Sequence, residues 1–284
     1  MQVGAIMGFD GTADPRFVAE AGQLVEELGF DALWVPEHVL FFPEYASRYP
    51  YSEDGKLRGD PKSVFDPFTI LTWLAAHTTR VRLATGICIV PQRDPVYLAK
   101  NVAELDRLSG GRFDFGVGVG WQREEYDALG IDFDSRGRRM GESLDLMKAL
   151  WTEDVTTWRG ELFDVRGAWA HPKPLQSPHP PILVGGESAP ALRRVAERGD
   201  GWYGFDLTPE DCARHLSTIS GHLEARGESL SDRRLVVSPA ASAKTPESVS
   251  AFARYGVEQV VFPVVGRDLA MLRERGERAL ALAR

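Results

Sequence analysis

Apolar runs of strand length alternate with segments of helical periodicity along the whole 284-residue chain. The strand candidates are residues 3–9, 32–36, 81–89, 112–119, 182–186, 201–205, 235–239 and 259–264. Runs such as VRLATGICIV are nearly continuous in apolar character, which suits strands of a parallel sheet covered on both faces. Alternation of strand and helix implies βαβ units with right-handed crossovers. Helix starts are marked by Asp14-Pro15, Asp66-Pro67, Asp94-Pro95, Thr208-Pro209 and Thr245-Pro246. In each, a capping side chain precedes a proline that loses nothing at the first helical position. The residues three beyond Thr208 and Thr245 are Asp211 and Ser248, so no full capping box is expected at either helix.

Eight such units in a chain of this length predict an α/β fold, a closed (β/α)8 TIM barrel, as a single domain over residues 1–284. The rival is an open doubly wound sheet, which carries a glycine fingerprint after its first strand. Here that strand runs into Gly8-Phe9-Asp10-Gly11, which is not one. Two segments stand outside the repeat, as insertions after strands 2 and 4. Residues 39–62, rich in aromatics, proline and charge, are expected to form an active-site loop. Residues 151–181 hold a candidate hairpin (155–159 with 161–165) and then a proline-rich stretch.

Composition narrows the function classes. A net charge of −8 disfavours binding to nucleic acid or to an acidic membrane surface. Cys88 and Cys212 lie far apart without metal-ligand spacing, and Cys88 sits in an apolar run, which fits a reducing cytoplasm. No basic-then-apolar leader and no apolar run of membrane-spanning length is present. The histidines have no ligand spacing with carboxylates, so no metal is expected. A Gly-x-Ser-x-Gly elbow is absent too, which removes the common hydrolase reading.

In a barrel, chemistry belongs to the loops after the C-terminal ends of strands. The second strand ends in Glu37-His38. His38 either faces the mouth, as a donor or proton relay beside a redox centre, or anchors the following loop. Glu37 should point the other way and serve the structure. Gly86-Ile87 lies inside the third strand, where glycine marks a bulge or a close backbone approach to a ligand. Gly116, Gly118 and Gly120 alternate with Val117 and Val119, leaving bare backbone along one face that suits a flat ring. Trp121 then stands where a dinucleotide fingerprint needs glycine. Gly185-Gly186-Glu187 precedes a helix start near Pro190, an arrangement that makes an anion site. The carboxylate of Glu187 opposes that unless it turns outward.

Taken together, GFDALWVPEH (29–38), TGICIVPQRDPVYLAKNVAELDRLSGGRFDFGVGVGW (85–121), the EEY of Glu124–Tyr126, ILVGGES (182–188) and GDGWY (199–203) resemble the bacterial luciferase-like superfamily. The likeness is to its coenzyme F-420-dependent oxidoreductase branch. The resemblance implies a cofactor ring across the strand mouths, contacted by His38. It implies a bulge at Gly86-Ile87, often with a non-proline cis peptide, against one ring face. Gly118, Val119, Gly120, Gly185, Gly186 and Glu187 would line the cofactor's side chain and phosphate. The expected cofactor is coenzyme F-420, with FMN as the alternative. The corresponding activities are hydride transfer with a small organic substrate, or a monooxygenase reaction using reduced flavin and oxygen. A non-catalytic flavin-binding protein is the reading from another class. Family members often form homodimers through barrel helices. Trp121 departs from the sugar-phosphate dehydrogenases of the family, some of which carry a carboxylate there.

Overall fold

The computed structural model describes residues 1–57 and 61–283. Its strands are β1 (Gln2–Ile6), β2 (Ala32–Val35), β3 (Arg82–Thr85), β4 (Cys88–Ile89), β5 (Phe113–Gly118), β6 (Thr156–Arg159), β7 (Asp164–Ala168), β8 (Ile182–Gly185), β9 (Gly201–Leu207), β10 (Arg234–Pro239) and β11 (Gln259–Pro263). The helices are α1 (Pro15–Leu28), α2 (Pro67–His77), α3 (Pro95–Leu108), α4 (Arg123–Ala128), α5 (Arg136–Thr152), α6 (Ala189–Arg198), α7 (Pro209–Glu224), α8 (Pro246–Arg254) and α9 (Leu269–Ala281).

The sheet closes in the order β3-β2-β1-β11-β10-β9-β8-β5, and β5 returns to β3, all pairs parallel. Because β3 and β4 occupy one position in the ring, this is an eight-position (β/α)8 barrel. The 155–165 hairpin exists as β6 paired antiparallel with β7, outside the barrel. Residues 58–60 of the expected 39–62 loop lie outside the described residues.

Each Asp-Pro or Thr-Pro start is a capped helix. Asp14 accepts from the Arg16 N–H, Asp66 from Thr69, Asp94 from Val96 and Tyr97, Thr208 from Asp211, and Thr245 from Ser248. One expectation is corrected. The Asp211 carboxylate reaches back to the Thr208 N–H at 3.4 Å, so α7 carries a full capping box although aspartate is shorter than glutamate.

Residues 81–89, expected as one strand, form two strands, and the interruption matches the bulge and cis peptide that the resemblance implied. The strand breaks at Gly86-Ile87, whose peptide bond is cis. Pairing with β5 slips across the break: Ala84 faces Asp114, but Cys88 faces Val117, so one strand spends an extra residue there.

The interior is layered. At the N-terminal end of the strands, buried Asp114 takes charge-assisted bonds from Arg82 and Arg234. In the middle, Trp34 stacks on Tyr203 with ring centroids 4.8 Å apart and donates its indole N–H to Gln259. Gly4 leaves room for that indole, since a Cβ there would lie 2.9 Å from Trp34 Nε1. This plug forms the floor of the C-terminal mouth.

Candidate functional site

The mouth above the plug is a cavity of about 310 Å³, the lower end of ordinary small-molecule sites. His38, Gly86, Ile87, Gly120, Gly185 and Gly186 all line it. Gly118, Val119 and Glu187 do not. Val119 is turned toward the outer helical layer, and its carbonyl accepts the Tyr126 hydroxyl at 2.6 Å.

The alternating glycines have a packing explanation. A Cβ on Gly116 would stand 2.0 Å from the Thr85 carbonyl oxygen, one on Gly118 2.2 Å from Ile87 Cδ1, and one on Gly120 3.0 Å from Ile89 Cγ2. Gly185 gives room on the other side, with Ile87 Cγ2 at 3.0 Å. The bare face of β5 therefore receives the bulged neighbouring strand, and Ile87 sits wedged between Gly118 and Gly185. Only Gly120, at φ +67°, and the turn at Gly186, at φ +105°, require backbone that disfavours a side chain as well.

His38 follows β2 through Pro36 and Glu37. Glu37 also lines the cavity, although the alternation predicted that it would face away, but its carboxylate serves the structure: it accepts the Ile89 N–H at 2.5 Å and pairs with Arg93, which also reaches Asp66. Glu37 thus clamps the segment just beyond the bulge. Cys88 beside it is a buried thiol whose pKa is pushed up by burial and then by the Glu37 charge.

His38 is held from the opposite direction. Glu125, fully buried on α4, places Oε2 at 3.2 Å from His38 Nδ1 and takes the N–H groups of Val39 and Leu40 on Oε1, at 2.9 and 3.2 Å. A carboxylate only accepts, so the Nδ1 proton points at Glu125 and Nε2 is left for the cavity. The adjacent Glu124 takes the N–H groups of Ala46 and Ser47. Burial raises the Glu124 carboxyl, but the Ser47 hydroxyl and backbone donors outweigh it and hold its pKa at about 2. Two successive carboxylates of one short helix thus fasten the loop that begins at residue 39.

Aromatic rings carry that loop across the mouth. Phe41 lies 4.9 Å from His38, His38 5.9 Å from Trp121, Trp121 5.3 Å from Tyr49, Tyr49 5.5 Å from Tyr51, and Tyr51 4.8 Å from Phe205. Trp121 also meets Tyr45 at 5.6 Å, which makes it the hub of the arc. Of the aromatics in this loop, Phe41, Tyr49 and Tyr51 line the cavity, whereas Phe42 and Tyr45 do not.

Glu187 turns inward. It accepts the Tyr51 hydroxyl at 2.8 Å and the Phe205 N–H at 2.8 Å, and burial raises its pKa. Its carboxylate thereby stands beside the Gly185-Gly186 turn that the sequence suggested for an anion. The α6 start is capped by Ser188, which accepts from the Ala191 N–H. Glu125, Tyr51 and the role of Trp121 were not singled out from the sequence. For Glu125 the signal present was an acidic pair opening a short helix directly after a strand end. Among the described residues, no group of three or more His, Cys, Asp and Glu is arranged to hold a metal ion. No helix among them is long and apolar enough to cross a membrane.

The barrel and its sequence have known counterparts. The sequence matches the luciferase-like monooxygenase family over residues 2–280, and the chain belongs to that family. Members of the family are oxidoreductases, monooxygenases among them. An uncharacterised protein of Mycobacterium tuberculosis is 37% identical over 195 residues, covering 68% of each chain. The FMNH2-dependent dimethylsulfone monooxygenase of Pseudomonas putida is 36% identical over 138 residues, 48% of this chain and 38% of that protein. In fold, the chain superposes with a TM-score of 0.78 on an F420-dependent secondary alcohol dehydrogenase solved with an F420–acetone adduct. That match is 15% identical and covers 100% of this chain and 99% of the other.

Proposed function

We propose that this protein is an oxidoreductase that transfers a hydride between a deazaflavin of the coenzyme F-420 type and a small organic substrate. The observation that carries the reading is the convergence of His38, the Gly86-Ile87 bulge and the Gly185-Gly186 turn on one cavity. These residues fit a flat heteroaromatic ring. Gly86, Gly120, Gly185 and Gly186 bring bare backbone to the cavity lining, with Ile87 between them. When bound, the cofactor supplies the redox chemistry; the protein supplies orientation, exclusion of water and electrostatics.

In this reading Ile87, braced by Gly118 and Gly185, would support the bound ring from one side of the cavity. His38 would present Nε2 to the cavity and accept or relay a proton beside the bound ring, while Glu125 fixes its tautomer. The aromatic arc from Phe41 to Phe205 covers the mouth and keeps water out. The enzyme acts in the cytoplasm on a small molecule, as a homodimer, without nucleic acid or membrane partners.

The deazaflavin assignment rests on the resemblance of segments 29–38 and 85–121, while the similarity to an FMNH2-dependent monooxygenase supports FMN as the second reading. Titrating the protein with F-420 and FMN, each oxidised and reduced, decides between them. Saturable binding of F-420 with turnover in the absence of oxygen is the expected result. Binding of reduced FMN with oxygen-dependent turnover would establish the second reading, and binding of neither would remove both.

A further inference from the structure

The cavity has a second polar group besides His38, the Tyr51 hydroxyl with its partner Glu187. Glu187 follows β8, three positions round the ring from β2, which carries His38. Its partner Tyr51 comes from the covering loop and lines the cavity, with Tyr203 nearby. Tyr203 bonds Ser238 through its hydroxyl at 2.8 Å. Glu187 Oε1 is occupied by the Phe205 N–H, and Oε2 receives the Tyr51 proton. With its one proton committed, the Tyr51 oxygen retains acceptor capacity toward the cavity.

Charge narrows what can lie there. Among the described residues lining the cavity none is Lys or Arg; apart from His38, Glu37, whose carboxylate is taken up by Arg93 and the Ile89 N–H, and the tyrosine hydroxyls, the wall is apolar. An anionic substrate beside Tyr51 would be desolvated close to the Glu187 carboxylate, with no Lys or Arg among the described lining residues to offset it. An uncharged molecule with an apolar body meets no such cost.

We propose that Tyr51, positioned by Glu187, is the subsite for the oxygen of an uncharged alcohol or carbonyl substrate with an apolar or aromatic body. This inference rests on the cofactor-bound reading above and names the substrate class of that same cavity. With Glu187 ionised, Tyr51 donates to it and accepts from a substrate hydroxyl. With Glu187 protonated, the carboxyl donates to Tyr51, whose own proton turns to a substrate carbonyl. Burial raises the pKa of both groups. One pair thereby accommodates either oxidation level of the substrate.

Calorimetric titration with benzyl alcohol, acetophenone, toluene and benzoate tests this on wild-type protein and on Tyr51→Phe, with and without the bound cofactor. Benzyl alcohol and acetophenone should bind wild type about 10-fold tighter than toluene, the scale of one net hydrogen bond. Benzoate should not bind detectably. In Tyr51→Phe the preference over toluene should vanish while toluene affinity and cofactor affinity hold. A pair that merely latches the loop would weaken all the neutral probes alike in the variant, and that result overturns the proposal. So does benzoate binding as tightly as benzyl alcohol, or an undiminished preference in Tyr51→Phe. Failure of cofactor binding would instead strike the proposed function, because the probe comparison is read independently of it.

Discussion

Glu125 and His38 meet at 3.2 Å beneath the start of the covering loop, and the same carboxylate holds the backbone of Val39 and Leu40. One buried group therefore sets both the imidazole tautomer and the path of the chain leaving it. Replacing Glu125 with alanine should lower turnover by ~10- to 100-fold, on the scale that loss of a hydrogen-bonded carboxylate partner has for a metal-ligating histidine. Glu125→Gln separates the two roles. Its amide oxygen can still accept the backbone N–H groups, but its NH2 toward Nδ1 demands the opposite tautomer. Turnover should fall in Glu125→Gln while cofactor affinity holds, and nitrogen NMR of the imidazole should show the proton moved to Nε2. An unaltered tautomer with full turnover would dismiss the assignment.

The glycine ladder of β5 predicts a graded response. Gly116→Ala drives a Cβ to 2.0 Å from a backbone oxygen that cannot turn aside. It should cost about 3 kcal/mol or more. Gly118→Ala meets only the tip of Ile87, at 2.2 Å, so about 1 kcal/mol is expected. The displaced Ile87 would then intrude on the cavity and weaken cofactor binding. Adding Ile87→Val deletes the clashing Cδ1 and should restore affinity. Thermal melts and cofactor titrations of the three variants check the order.

Trp121 is the hub on which the covering loop rests. Trp121→Ala should loosen residues 39–57 with a local loss of about 1–3 kcal/mol. Limited proteolysis should then cut within this segment faster, while the barrel melts near its usual temperature. Trp121→Phe should lie between the two.

Acid sensitivity has a source at the opposite end of the barrel. Glu26 accepts from the backbone of Thr79, Arg80 and Val81 and from the Thr79 hydroxyl. Burial raises its carboxyl, but these donors prevail and hold the pKa at about 2, below its ordinary value of 4.5. A depressed folded-state pKa stabilises above 4.5, and that stabilisation is lost as pH falls from 4.5 toward 2. Glu26→Gln should lower neutral-pH stability by about 1–2 kcal/mol. It should also flatten the stability profile across that window in chemical denaturation; an unchanged acid limb would refute the linkage.

The local rules carried far. Proline after a capping residue located helix starts, apolar runs located barrel strands, and the ends of those strands pointed to His38, Gly86-Ile87 and Gly185-Gly186. These signals are legible because cap chemistry and strand periodicity act between near neighbours in the chain. The Gly116, Gly118 and Gly120 pattern was legible as bare backbone, but its main occupant is the neighbouring strand around Ile87. Alternation reveals which face a residue takes and leaves open what meets it.

The sequence by itself therefore determined the repeat of strand and helix, the closed parallel barrel and the rim positions available for chemistry. Only the tertiary structure decided the pairings across that rim: Glu125 with His38, Tyr51 with Glu187, and Trp121 with the loop it supports. Those partners stand 87, 136 and, for Trp121 and Tyr49, 72 residues apart in the chain. Barrel closure brings them together, and no local propensity encodes a contact made over such separations.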